Sequence, residues 1–193
     1  MDIFKDYIKK RIAVTEEQLE QITSSYTQTH VKKKSFILQA GEICNFEGFV
    51  KKGCFKIFYL TPNGEEHILY FAIEEWWISD IASFNDQEPA QLYIQALEDS
   101  EILIISREQK EKLFTNCTQV ERLFRIMSQR AQVASQHRII AALGFTAQER
   151  YLDFIKRYPK IYPRISNLQL ASYIGVTQEF LSRLKRQILK PKK

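Results

Sequence analysis

A chain of 193 residues that is 45% hydrophobic and 26% charged has the composition of an ordinary globular protein with room for two modest domains. Its apolar runs are too short to span a bilayer, and the opening MDIFKDYIKKR has neither the apolar segment nor the cleavage site of a signal peptide, so a cytoplasmic protein without a membrane partner is expected. The net charge of +5 is uneven: Lys156 to Lys193 holds ten basic residues and one acidic, +9, and the remainder sums to −4. Cys44, Cys54 and Cys117 are odd in number and far apart, and His30, His67 and His137 are isolated. Neither a disulfide framework nor a metal site is expected from them.

From Met1 to about Thr29 the spacing of Ile3, Phe4, Tyr7 and Ile8, then Leu19 and Ile22, predicts two short helices, with Thr15 and Gln18 as a capping box for the second. The character turns to β from Val31 to about Ser106. Runs of β-branched and aromatic residues fall at Phe36 to Leu38, Phe46 to Val50, Phe55 to Leu60, His67 to Ala72, Leu92 to Ala96 and Ile102 to Ile105. Pro62-Asn63-Gly64 joins FKIFYL to HILYFA as a hairpin. Short strands without intervening helices mean a sandwich or small barrel, and an eight-strand roll is the most economical choice for about 75 residues.

After Arg107 a short helix is expected over Gln109 to Leu113, then a long one from about Thr118 to Leu143. A heptad along it places Leu123, Arg130 and His137 at a, and Ile126, Val133 and Ile140 at d. An aliphatic d column on a helix between a barrel and a terminal module predicts pairing with a second copy, so these six residues form the expected homodimer seam. Gly144 ends the helix. Thr146 with Glu149 caps the next, Ala147 to about Tyr158, which Pro159 and Pro163 close.

The segment Asn167 to Arg186, NLQLASYIGVTQEFLSRLKR, fits a helix-turn-helix residue by residue. Leu170, Ile174, Val176, Leu181 and Leu184 are spaced to share one small core, Ala171 permits close packing, and Gly175 supplies the turn. Thr177 caps the second helix, and Gln178, Glu179, Ser182 and Arg183 form a polar face suited to base edges in a major groove of double-stranded DNA. Lys185 and Arg186 are expected to contact phosphates, together with the tail lysines Lys190, Lys192 and Lys193.

The order of these parts resembles the Crp/Fnr family of bacterial transcription regulators, most specifically over Phe49 to Phe84 and Ile165 to Arg186. The resemblance implies an α+β chain: a double-stranded β-roll of the cyclic-nucleotide-binding type, a long central dimerisation helix and a carboxy-terminal helix-turn-helix domain. Its divisions would be 1–117, 118–143 and 144–193. It also implies that Gln178, Glu179 and Arg183 stand at the reading triad, with Gln178 in place of the usual Arg and a different preferred base there.

Two departures matter. Where cyclic-nucleotide-binding members carry a Gly-Glu pair and an Arg-Ser pair, this chain has Ser79 and Asp80, then Pro89 and Ala90. These four are the candidate effector pocket, and without an Arg the phosphate of cyclic AMP would lack a charge partner, so no cofactor is assigned and any small-molecule effector is unidentified. Only Gln187 to Lys193 stand where the family has a winged hairpin, and the lysine tail is expected to take over its phosphate contacts. RNA polymerase is the further partner a regulator of this kind would meet. Rival readings are a cupin-like metalloenzyme, for which His67 with Glu65 and Glu66 is the only nearby set, and a ligand-binding or scaffold module without DNA readout.

Overall fold

The expected β region becomes eight antiparallel strands in the computed structural model, which describes residues 2–189. They are β1 (Thr27–Val31), β2 (Phe36–Leu38), β3 (Phe46–Lys52), β4 (Phe55–Leu60), β5 (Glu66–Ala72), β6 (Trp77–Ile78), β7 (Tyr93–Ala96) and β8 (Ser100–Ser106). Two four-stranded sheets face each other, ordered β1-β8-β3-β6 and β2-β7-β4-β5. The tail lysines lie outside the described residues.

Two short strands escape the pattern. β1 begins at Thr27, where the helical reading ran on to Thr29; TQTHV buries only Val31, so pairing with β8, Thr27 opposite Ile104 to Val31 opposite Ser100, decides its conformation. β6 is two residues paired to Gly48 and Phe49 of β3. The hairpin β4–β5 turns as expected at Gly64, φ +80°, whose N–H donates to Thr61 O at 2.9 Å.

Helices α1 (Asp2–Lys9) and α2 (Glu16–Ser24), then α3 (Ile81–Asp86), α4 (Arg107–Asn116) and α5 (Thr118–Gly144), accompany the roll. Thr15 and Gln18 form the capping box of α2, and Ser106 with Gln109 forms another on α4. One face of the roll is covered by α1, α2 and the start of α5: Phe4, Tyr7, Ile8, Leu19 and Ile22 meet Phe49, Leu103, Ile105, Val120 and Leu123 in one core. Trp77 Nε1 donates to the Tyr7 hydroxyl inside it at 3.1 Å. A second core fills the space between the sheets, with Val50, Phe55, Ile57, Ile78 and Ile94.

Strand β4 is buried on both sides over Phe55, Lys56, Ile57 and Phe58. A strand of that kind needs a cover on each face. The outer cover comes from α6 (Ala147–Arg157), α7 (Asn167–Ile174) and α8 (Gln178–Leu189): Phe58, Ile68, Phe71 and Ile73 share a core with Phe154, Leu170, Ala171, Ile174, Leu181 and Leu184. The carboxy-terminal head therefore packs on its own roll.

All three cysteines are free and buried. His67 and Glu65 are exposed and 3.9 Å apart, and among the described residues no group of three His, Cys, Asp or Glu is placed to hold a metal ion. No helix among them is long and apolar enough to cross a membrane.

Candidate nucleic-acid interface

The helix pair α7–α8 is fixed by local chemistry at each end. The Ser166 hydroxyl accepts from Gln169 N at 3.2 Å while the Gln169 side chain accepts from Ser166 N at 2.8 Å, starting α7. Gly175 takes φ +72° and ψ +47°, a left-handed cap that ends it. Thr177 Oγ1 then accepts from Phe180 N at 3.2 Å, so its hydroxyl is committed to starting α8. Leu181 and Leu184 point into the shared core with Leu170, Ala171 and Ile174. At 3.6 residues per turn, the opposite face presents Gln178, Glu179, Ser182, Arg183 and Arg186, which together line one open recess.

Lys185 does not belong to that face. Its ammonium donates to Asn167 Oδ1 at 2.5 Å and lies 5.5 and 5.2 Å from the ring centres of Tyr151 and Tyr162. The two tyrosine hydroxyls are 3.2 Å apart. Tyr151 is raised, chiefly by burial, and Tyr162 is lowered by the Tyr151 hydrogen bond and the Lys185 charge. Lys185 thus pins α8 to the start of α7. Lys185→Ala should destabilise the head by about 1–2 kcal/mol through the lost contacts and leave the salt dependence of any DNA binding unchanged. Unaltered melting with a salt slope reduced by about one would return Lys185 to the phosphate role.

In the roll, Ser79, Asp80 and Ala90 are buried and Pro89 is exposed. Asp80 spends both oxygens on backbone donors: Oδ1 accepts from Ser83 N at 3.2 Å, capping α3, and Oδ2 accepts from Gln91 N at 3.2 Å and Leu92 N at 3.3 Å. Ser79 Oγ donates to Phe46 O at 2.9 Å, and Ala90 exchanges backbone bonds with Gly41 and Glu42. The loop after α3 is thereby closed on itself by the residue that stands where the family's ribose contact is expected.

The six expected seam residues of α5 separate. Leu123 is fully buried in its own roll's core, Ile126 is partly buried against that core, and His137 turns toward α6, with Nδ1 3.9 Å from Asp153 Oδ2 and Nε2 against Arg157. Arg130, Val133 and Ile140 remain exposed, Val133 at 65% and Ile140 at 58%. Leu143, which the heptad reading passed over, is 84% exposed. Val133, Gln136, Ile140 and Leu143 follow steps of 3, 4 and 3 and form one exposed stripe along α5.

Two arginines that sequence reasoning did not select join the head to the rest of the chain. Arg138 of α5 donates to Ile68 O of β5 at 3.1 Å and to Tyr173 O of α7, and its guanidinium lies 3.7 Å from the centre of the Tyr173 ring. Burial lowers its pKa. Arg164, in a single 3-10 turn (Tyr162–Arg164) before α7, donates to Glu74 at 2.8 and 3.0 Å and to Glu98. Burial raises the Glu74 carboxyl, but Arg164 and the Gly53 N–H outweigh it and hold it below its ordinary value. Neither arginine sits in a motif; only the fold brings its partners to it.

The architecture is thus a β-roll, a long helix and a helix-turn-helix head. Residues 28–117 match the family model of the cyclic nucleotide-binding domain. The anaerobic regulatory protein of Pasteurella multocida is 23% identical over 184 residues, 89% of this chain; the chain spans just under two thirds, 66%, of that relative's length. Among solved structures, FixK2 from Bradyrhizobium japonicum is similar at a TM-score of 0.74 and 20% identity, covering 84% of each chain. A transcriptional regulator of the Crp/Fnr family from Eubacterium rectale gives 0.69 at 19% identity, covering 91% of this chain and 83% of that one. The fold of the chain is thus similar to that of the Crp/Fnr-family structure, and its roll matches the cyclic nucleotide-binding domain.

Proposed function

We propose that the chain is a homodimeric, sequence-specific DNA-binding transcription regulator and not an enzyme, with a sensor-type roll over 1–117, a dimer helix over 118–143 and a reading head over 144–193. The observation that carries this reading is the exposed polar face of α8, held by Thr177 and Gly175 and backed by Leu181 and Leu184. Glu179 accepts from a cytosine amine and Arg183 donates twice to a guanine, while Gln178 and Ser182 read alongside and Arg186 holds phosphate. The regulatory relatives and the Crp/Fnr-like fold support it. Two copies meet along Val133, Ile140 and Leu143, setting the recognition helices in major grooves one or two turns apart, in multiples of about 34 Å.

The roll works without cyclic AMP. In support, Asp80 already accepts from three backbone donors, and neither Pro89 nor Ala90 offers a charge to a phosphate. Fluorescence anisotropy on the DNA upstream of the coding sequence, against a scrambled duplex at two salt concentrations, with and without cyclic AMP, tests the whole reading. Specific binding unmoved by the nucleotide is expected; equal binding to both duplexes would defeat the DNA assignment, and a nucleotide-dependent gain would defeat the effector assignment. Within that assay Arg183→Ala should lose about 1–3 kcal/mol on the specific duplex only. An equal loss on scrambled DNA would reduce Arg183 to a phosphate contact.

A further inference from the structure

The head is seated on the roll by polar contacts that the apolar core alone does not explain. Three loops converge at one end of the roll. Gly53, at φ +113°, passes so close to Ser100 that a Cβ would stand 2.0 Å from its Oγ, and its N–H donates to Glu74 Oε1 at 2.8 Å. The turn 73–76 carries Glu74, with Glu75 at φ +68° and Trp76 N donating to Ile73 O. The third loop carries Glu98, whose carbonyl accepts from Ser100 Oγ at 2.7 Å. Two carboxylates are thus held in a notch, and the guanidinium that fills it, Arg164, comes from the head.

We propose that Arg164 is the positioning residue of the reading head: seated between Glu74 and Glu98, it holds the helix-turn-helix on the outer face of its own roll at one angle and so presets the recognition helix for DNA without an effector. A bidentate fork fixes direction as well as distance, and here it engages one carboxylate with both terminal nitrogens. Rotation about that point is blocked at the far edge of the interface. Ser172 of α7 accepts from Ile68 N at 3.0 Å and donates to Glu66 O, occupying the open edge of β5 as a further strand would. The docked face leaves Gln178, Glu179 and Arg183 in the open, so docking orients the reading surface and does not mask it. Aromatic contacts close the seam beside the clamp, with the Trp76 and Tyr158 ring centres 5.9 Å apart.

The DNA half of this inference rests on the reading proposed above, and its mechanical half does not. The Ile68 amide, at a sheet edge and bonded only to the head, reports docking in the whole protein by hydrogen exchange. Arg164→Ala should speed exchange at Ile68 about tenfold, leave Leu103 in the β3–β8 ladder unchanged, and weaken the specific duplex roughly five- to tenfold without affecting the scrambled one. Arg164→Lys, which keeps the charge and loses the fork, should restore part of both effects. Glu98→Gln, which breaks only one side of the notch, serves if the alanine variant does not fold. Unchanged exchange at Ile68 would overturn the clamp, and faster exchange with equal or tighter specific binding would overturn the presetting. Should the wild-type chain fail to distinguish the two duplexes, the DNA reading falls, and the exchange result still judges the clamp.

Discussion

Phe154→Ala is expected to lower the unfolding free energy by about 3–5 kcal/mol, the range for removing a large aromatic from a packed interior. Phe154 is 1% exposed and stands where head and roll meet: its ring centre is 6.1 Å from that of Phe71 on β5, 4.8 Å from Tyr173 on α7 and 5.2 Å from Tyr158. No neighbour is free to collapse into the gap, because Phe71 is held in its strand and Tyr173 under Arg138. The same ring couples two modules, so the substitution should also split the transition, with the head melting before the roll. Urea unfolding followed by tryptophan fluorescence and by far-ultraviolet circular dichroism measures both effects. A midpoint shift worth less than about 1 kcal/mol, with the two probes coincident, would show that the head is not packed on the roll through this ring.

How much of this was legible in the sequence depended on whether the cause was local. Gly175, Thr177 and the Ser166–Gln169 box act within a few residues, and the helix-turn-helix follows from them. The hairpin at Gly64 is of the same kind. β1 escapes the pattern because TQTHV has no apolar residue before Val31; its partner β8 lies about 70 residues away. Which residues of the α5 stripe stay exposed has a related cause. A heptad identifies a stripe, but which flank of the stripe meets the chain's own roll depends on where the helix sits, and the roll takes Leu123. Lys185 illustrates the limit for charge: the sequence places a lysine on α8, and only the fold brings Asn167 and two tyrosines to it.

Asp80 and Arg164 together give the roll a consistent logic. In a ligand-operated device, binding energy selects one arrangement over another. Asp80 closes the cassette loop from within and Arg164 bonds the head to the roll from without, so under the proposed reading the chain itself supplies the bonds that an effector would contribute. Strand β4, buried on both faces, fits the same account: Phe58, stacked on Tyr93 within the roll, shares its core with the head. Release of the head would expose Phe58, Ile68 and Phe71, each worth roughly 1.5–3 kcal/mol when buried, which makes a freely swinging head unfavourable.

The double substitution Val133→Glu with Ile140→Glu should convert the proposed dimer to a monomer and reduce affinity for the specific duplex by about two orders of magnitude or more. Both positions are exposed on the single chain, at 65% and 58%, so the charges cost the folded protomer little and it should melt near the wild-type temperature. In a two-fold pair the same four carboxylates would face one another across the seam. The affinity loss follows from geometry: a lone head reaches one half-site, and the second binding event, intramolecular in the dimer, is gone. Sedimentation velocity reads the mass and anisotropy reads the affinity. A variant that still sediments as a dimer would place the interface off this stripe, on a surface that Leu143→Glu could then be used to bracket. One that is monomeric yet binds the full site as tightly as wild type would show that the two heads act independently, and the half-site spacing argument would fall with it.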